Sequence, residues 1–204
     1  MSGLDNLDTG KILVLIGDSE VGKTCLLSRF ISGQFDPNVA STNVMASYTN
    51  KKIKCEHLKK TLDLKIWDTS GVEKFKSFIK YFYKDASMII LVYDITRKET
   101  FDNLKNYWYE EIKENCEEDI VLGIAGNKSD LYDEEEVPEQ EARDFAKSIN
   151  AIFALTSAKE NDGVENLFRN IGNKYLESIF QEKASEAQKE QFPNIEIQKE
   201  ENTE

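Results

Sequence analysis

The 204-residue chain is short of several things, and each shortage removes a class of function. Its one histidine, His57, has no partnering cysteine or carboxylate pattern, so it reads as an exposed residue, not a metal ligand or a base. Cys25, Cys55 and Cys116 are odd in number and far apart, which excludes a disulfide framework and a zinc spacing. They read as reduced thiols in an intracellular, cytoplasmic protein. No apolar run approaches the roughly 20 residues of a membrane span. The opening "MSGLDNLDTG" lacks the basic and apolar segments of a secretory signal. Positive charge is scarce: 26 Lys and Arg stand against 38 Asp and Glu, and the net charge of −12 argues against a nucleic-acid surface. No internal repeat is present. What remains, 40% hydrophobic and 31% charged residues, suits one globular domain.

Four short apolar runs punctuate the chain: "KILVLIGD", "SMIILVYD", "IVLGIAGN" and "AIFALTSA". Such runs suit strands buried on both faces of a parallel sheet. Between them lie helical patterns. Leu26, Leu27, Phe30 and Ile31 share one face before Gly33, a C-terminal stop. "TRKE" at Thr96 to Glu99 reads as a capping box that opens a helix with Phe101, Leu104, Tyr107 or Trp108, and Ile112 inward. Pro138 starts a helix with Ala142, Phe145, Ala146 and Ile149 inward, after a solvated acidic loop, "DLYDEEEV". Val164, Leu167, Phe168, Ile171, Tyr175 and Ile179 face the core from the last helix.

"YTNKKIKCEHLKKTLDLKIWD" reads as a hairpin, basic through Lys51, Lys52, Lys54, Lys59 and Lys60. The expected fold is therefore α/β: a mostly parallel six-stranded sheet with one antiparallel edge strand and helices on both faces. Residues 1–10 form an N-terminal arm and 11–180 the domain. Residues 181–204 read as an acidic, mobile tail, because the apolar period stops there.

Three motifs fall at strand ends. "GDSEVGKT" (Gly17 to Thr24) fits G-x-x-x-x-G-K-[ST] between a strand and a helix. Glycines let the backbone N–H groups of Ser19, Glu20, Val21, Gly22, Lys23, Thr24 and Cys25 wrap a phosphate. Lys23 reaches the β- and γ-phosphates, and the Thr24 hydroxyl ligates Mg²⁺. "NKSD" supplies Asn127, Lys128 and Asp130; the Asp130 carboxylate accepts two N–H bonds that guanine offers and adenine does not. "TSAK" offers backbone N–H groups of Ser157, Ala158 and Lys159 to the guanine carbonyl. Asp68 of "WDTSG" is placed as an Mg²⁺ partner, and Thr42 in the preceding loop as a hydroxyl closing over the γ-phosphate.

In this order and spacing, the set resembles the Ras-superfamily small GTPases over roughly residues 11 to 180. "LKIWDTSG", "YFYKDA" and "LVYDIT" are most similar to the Rab branch. The resemblance implies a monomeric GTP/GDP switch with Mg²⁺. Its effectors, exchange factors and GTPase-activating proteins would bind through Phe35 to Ala46 and Gly71 to Lys84. It implies Phe35 on the guanine edge, Lys128 along the ring plane, and the Gly71 N–H on the γ-phosphate. The catalytic set is then Lys23, Thr42 and Gly71.

The chain departs from that pattern in four places. Val72 stands where most members carry the Gln that orients the attacking water. Glu20 stands where a small residue is usual, and its carboxylate is expected to repel the phosphates. "NVMAS" follows Thr42, and the sequence given ends "ENTE" without the prenylated cysteines, so no direct lipid anchor is expected. Weak intrinsic hydrolysis follows from Val72. The competing expectation is a pseudo-GTPase that serves as an interaction scaffold. An ATPase or kinase is disfavoured by "NKSD".

Overall fold

The computed structural model describes residues 10–37, 46–55, 58–69, 81–117 and 119–191. Thr42, His57, Gly71, Val72, the N-terminal arm up to residue 9 and the last 13 residues lie outside them.

The four apolar runs become parallel strands: β1 (Lys11–Ile16), β4 (Met88–Asp94), β5 (Val121–Asn127) and β6 (Ile152–Thr156). The hairpin supplies β2 (Ala46–Cys55) and β3 (Lys60–Thr69). The sheet order is β2-β3-β1-β4-β5-β6, and only the β2–β3 pair is antiparallel. The expected six-stranded sheet with one antiparallel edge strand is thus present.

Side chains alternate along each strand, so each buried strand feeds two cores. Leu13 and Leu15 of β1 point to one face with Leu64, Ile66, Ile90 and Val92. That face is covered by α1 (Lys23–Ser32), through Leu26 and Phe30, and by the C-terminal helix, through Leu167, Phe168 and Ile171. Phe30 and Phe168 stack with ring centroids 3.9 Å apart. Val14 and Ile16 point the other way, to Ile89, Leu91 and Tyr93. There α2 (98–115) contributes Phe101, Leu104, Trp108 and Ile112, and α3 (Glu139–Ser148) contributes Ala142 and Ala146.

Three local expectations are corrected. The Thr96 to Glu99 capping box does not form. The N-cap of α2 is Arg97, with no side-chain cap. Thr96 instead gives both its N–H and its hydroxyl to Asp94 Oδ1, at 3.0 and 2.8 Å. The exposed Lys98 N–H is satisfied from afar by Glu136, at 2.8 Å. Second, α2 is not a uniform α-helix: Lys98–Asn103 and Tyr109–Asn115 flank a π turn at Leu104–Trp108. Third, the C-terminal helix, α4, runs Val164–Gln191, past the expected end of the domain. From Gln181 to Gln191 the chain holds no Gly or Pro and is mostly Gln, Glu, Lys and Ala. Those residues cost little in a helix already nucleated, so it propagates without an apolar face. The acidic loop also contains a 3₁₀ segment, Ser129–Glu134, exposed from Tyr132 to Glu134.

The stack of Phe30 on Phe168 ties α1 to α4 over the sheet. Phe168→Ala is expected to cost about 3–5 kcal/mol, read as a lower urea midpoint at unchanged m-value.

Candidate functional site

All parallel strands deliver their C-terminal ends to one edge of the sheet, and the loops that follow β1, β5 and β6 meet there beside the end of β3. The loop after β1 is set by two glycines. Gly17 has φ 149°, and a Cβ there would sit 2.2 Å from the Val92 carbonyl. Gly22 has φ 94°, and a Cβ would fall 2.3 Å from Asn127 Nδ2. Both positions admit only glycine without rearrangement. Helix α1 then begins with no acidic residue in its first turn, so its positive end is not offset locally.

Lys23 is the first residue of α1. Its side chain folds back over the loop, and Nζ donates to the carbonyls of Gly17 at 2.8 Å and Asp18 at 2.6 Å. Burial pulls its pKa down to about 8, against the opposing pull of Asp68 and Asp18. Thr24 donates its hydroxyl to Asp68 Oδ2 at 2.6 Å. Asp68 Oδ1 is buried with no hydrogen-bond partner among the described residues, and burial raises the carboxyl's pKa. An orphaned carboxylate oxygen beside a hydroxyl is the donor set a hard divalent cation takes, so these residues fit Mg²⁺.

The remaining motifs close around this loop. Asn127 Nδ2 donates to the Val21 carbonyl at 2.8 Å, and its Oδ1 accepts from Thr156 Oγ1 at 3.2 Å. Ser157 Oγ donates to Asp130 Oδ1 at 2.6 Å, and Lys159 Nζ lies 3.9 Å from Asp130 Oδ2. Val21 and Ala158 are buried, and Cys25 is half-buried with its thiol pKa raised chiefly by burial. Phe35 lies within 6.0 Å of the Arg29 guanidinium, measured to the ring centroid. Glu20 is exposed in the left-handed conformation, φ 65°, a geometry that costs a non-glycine residue energy. Of the expected site residues, Ser19 to Cys25, Phe35, Asp68, Asn127, Lys128, Asp130 and Ser157 to Lys159 are gathered at this edge.

Three residues that the motifs do not include hold them in place. Asp94, buried at the end of β4, pairs with Lys128 Nζ at 2.6 Å and with Arg97 Nε at 3.2 Å. Arg97 passes the restraint on, donating from Nη2 to the Ser19 carbonyl at 3.0 Å. On the other side Arg29 donates to the carbonyls of Ala158 at 2.7 Å and Lys159 at 2.9 Å. A charged residue closing the apolar run "MIILVYD" was the available signal for Asp94. Arg29 gave none, because its acceptors lie about 130 residues away.

Burial alone would raise the Asp94 pKa, but the bonds from Lys128 and Thr96 outweigh it and hold the carboxyl below its usual range. A depressed carboxyl stabilises the fold fully above its unfolded pKa and loses that contribution as pH falls through the folded value. Asp94→Asn is expected to cost about 1.5–3 kcal/mol at neutral pH. In urea titrations the gap from wild type should stay constant from pH 8 to 5. It should narrow below about pH 4, where the wild-type carboxyl also protonates.

Comparison with known proteins agrees with this geometry. The family model described as Ras family matches residues 12–177. The chain is 43% identical over 161 residues to Ras-related protein Rab-22A of Homo sapiens, spanning 78% of this chain and 80% of that protein. It is 43% identical over 158 residues to Rab-31 of Mus musculus, 77% of this chain and 78% of that one. Against RabJ of Dictyostelium discoideum it is 42% identical over 164 residues, which is 80% of this chain but 62% of that relative's length. The phosphate loop, the guanine-type motifs and the match over most of the domain agree: the chain belongs to the Ras family, among its Rab-like GTP hydrolases.

Proposed function

We propose that this protein is a Rab-type guanine-nucleotide switch that binds GTP and GDP with Mg²⁺, engages effectors in membrane traffic, and hydrolyses GTP slowly by itself. The observation that carries the reading is the bond from Asn127 Nδ2 to the Val21 carbonyl, 2.8 Å, which ties the base-selecting motif to the phosphate loop. One rigid unit then grips both ends of a nucleotide.

Each residue has a task in this scheme. The loop N–H groups from Ser19 to Cys25 and the start of α1 receive the phosphates. Lys23 leaves its two carbonyl acceptors for the β- and γ-oxygens and regains a firmly held proton there. Asp130, oriented by Ser157, selects guanine, and Lys128, held by Asp94, lies along the ring. Thr24 and Thr42 would hold Mg²⁺, with Asp68 supporting them, and the ion would supply charge neutralisation for phosphoryl transfer. The Gly71 N–H meets the γ-phosphate. Effectors, exchange factors and activating proteins read Phe35 to Ala46 and Gly71 to Lys84, so the nucleotide state is the signal. The switch acts as a monomer, in the cytoplasm or at a membrane to which a protein partner recruits it.

Val72 bears on hydrolysis because it has no donor or acceptor with which to hold a water. The chemistry depends on positioning, so its loss slows the step and leaves binding intact. The same residue favours a second reading, an interaction scaffold that binds nucleotide without cycling. Identifying the nucleotide extracted from purified protein tests the first reading: GDP or GTP supports it, and an empty protein or adenine nucleotide overturns it. Loaded with GTP, Val72→Gln should hydrolyse about tenfold faster than wild type in single-turnover assays, with GDP affinity unchanged. A wild-type rate equal to that of the Gln variant would show that the missing amide is not limiting.

A further inference from the structure

The π turn in α2 has a consequence at the phosphate loop. At 3.6 residues per turn, residues five apart on an α-helix lie about 140° apart and face different neighbours. Asn103 and Trp108 are such a pair. Across Leu104–Trp108 the helix widens, with the Tyr109 N–H bonding back five residues to the Leu104 carbonyl. Residues five apart then fall nearly one above the other. Both side chains reach one carboxylate: Asn103 Nδ2 donates to Asp18 Oδ2 at 2.7 Å, and Trp108 Nε1 donates to Asp18 Oδ1 at 2.8 Å.

Asp18 belongs to the phosphate loop, and its carbonyl accepts from Lys23 Nζ at 2.6 Å. The same residue is thus held by α2 through its side chain and by the phosphate-binding lysine through its backbone. The next residue, Ser19, is held at its carbonyl by Arg97, the N-cap of α2. Trp108 is buried, 1% exposed, so its indole N–H needs an acceptor, and a carboxylate accepts a stronger bond than a neutral group does. A π turn costs helix geometry, and here it brings two donors onto a loop carboxylate.

We infer that Asn103 and Trp108 are positioning residues for nucleotide binding. Through Asp18 they fix the outer side of the phosphate loop and so lengthen the life of the bound nucleotide. The inference rests on the nucleotide-binding reading above. Helix α2 becomes part of the site without touching the ligand, and the π turn is the feature that makes it so.

The test is release of N-methylanthraniloyl-GDP in Mg²⁺ buffer, with thermal unfolding followed in parallel. Trp108→Phe keeps a ring in the core and removes the donor. Asn103→Ala changes an exposed residue and threatens the fold little. Each is expected to release the nucleotide about five- to tenfold faster than wild type. In an Asp18→Ala background, itself fast-releasing, neither change should add anything, because the shared acceptor is gone. A packing role for Trp108 would lower the melting temperature equally in both backgrounds and leave release unchanged. Wild-type release rates in both single variants, or undiminished effects on Asp18→Ala, overturn the inference alone. A wild-type protein that retains no guanine nucleotide overturns it together with the reading it rests on.

Discussion

A buried ammonium is the constraint on which the site depends. Lys23 is 5% exposed, and two neutral backbone carbonyls accept its hydrogen bonds. Removing a charge from water costs several kcal/mol unless opposite charge returns it, and the lowered pKa is the sign of that cost. The loop bears it because its shape is imposed from every side. Gly17 packs on the Val92 carbonyl, Asn127 holds Val21, Arg97 holds Ser19, and Asp18 is held by α2. The folded protein thereby keeps a cation, a helix N-terminus and a set of backbone donors poised for an anion. In the proposed function, ligand phosphates would relieve a tension that folding has already created.

The supports of this loop come from α2 and from the ends of β4 and β5, all far from the loop in sequence, with β4 and β5 neighbours in the sheet. Parallel strands deliver their carboxyl ends to one edge, so a single carboxylate such as Asp94 can restrain the phosphate loop through Arg97 and the base motif through Lys128. The phosphate loop and the proposed base motif are thus tied through one carboxylate.

This arrangement explains what was legible in the sequence. The strands were legible because burial on both faces leaves continuous apolar runs. The motifs were legible because phosphate and guanine chemistry needs particular residues within seven or eight positions. What joins the motifs was not. Arg29 and its carbonyl acceptors, or Asp18 and its partners in α2, leave no local pattern, because the topology sets their distance. The π turn was illegible for a related reason. Phe101, Leu104, Trp108 and Ile112 satisfy a helical period whether or not one turn is widened. The open choice between Tyr107 and Trp108 as the inward residue marked the place where the period slips. The capping box failed because Asp94 competes for Thr96. The extended α4 was missed because apolar periodicity reports burial, and that stretch continues on propensity alone.

One tension remains between the whole chain and its site. A net charge of −12 opposes the approach of a polyanionic nucleotide, yet the site is built to hold one. Screening resolves it. At physiological salt, exposed charges more than about 8 Å away are largely masked, whereas partly buried ones are not. The acidic excess lies in places such as the 3₁₀ segment and the solvent faces of the helices, where many of the carboxylates are exposed and some already pair with lysine or arginine. Lys23 is buried and Lys128 and Arg97 are partly buried, and with the unopposed start of α1 they lie at the proposed nucleotide site. In the proposed reading, local, poorly screened charge therefore sets nucleotide affinity, and the distant acidic charge acts on the approach of partners.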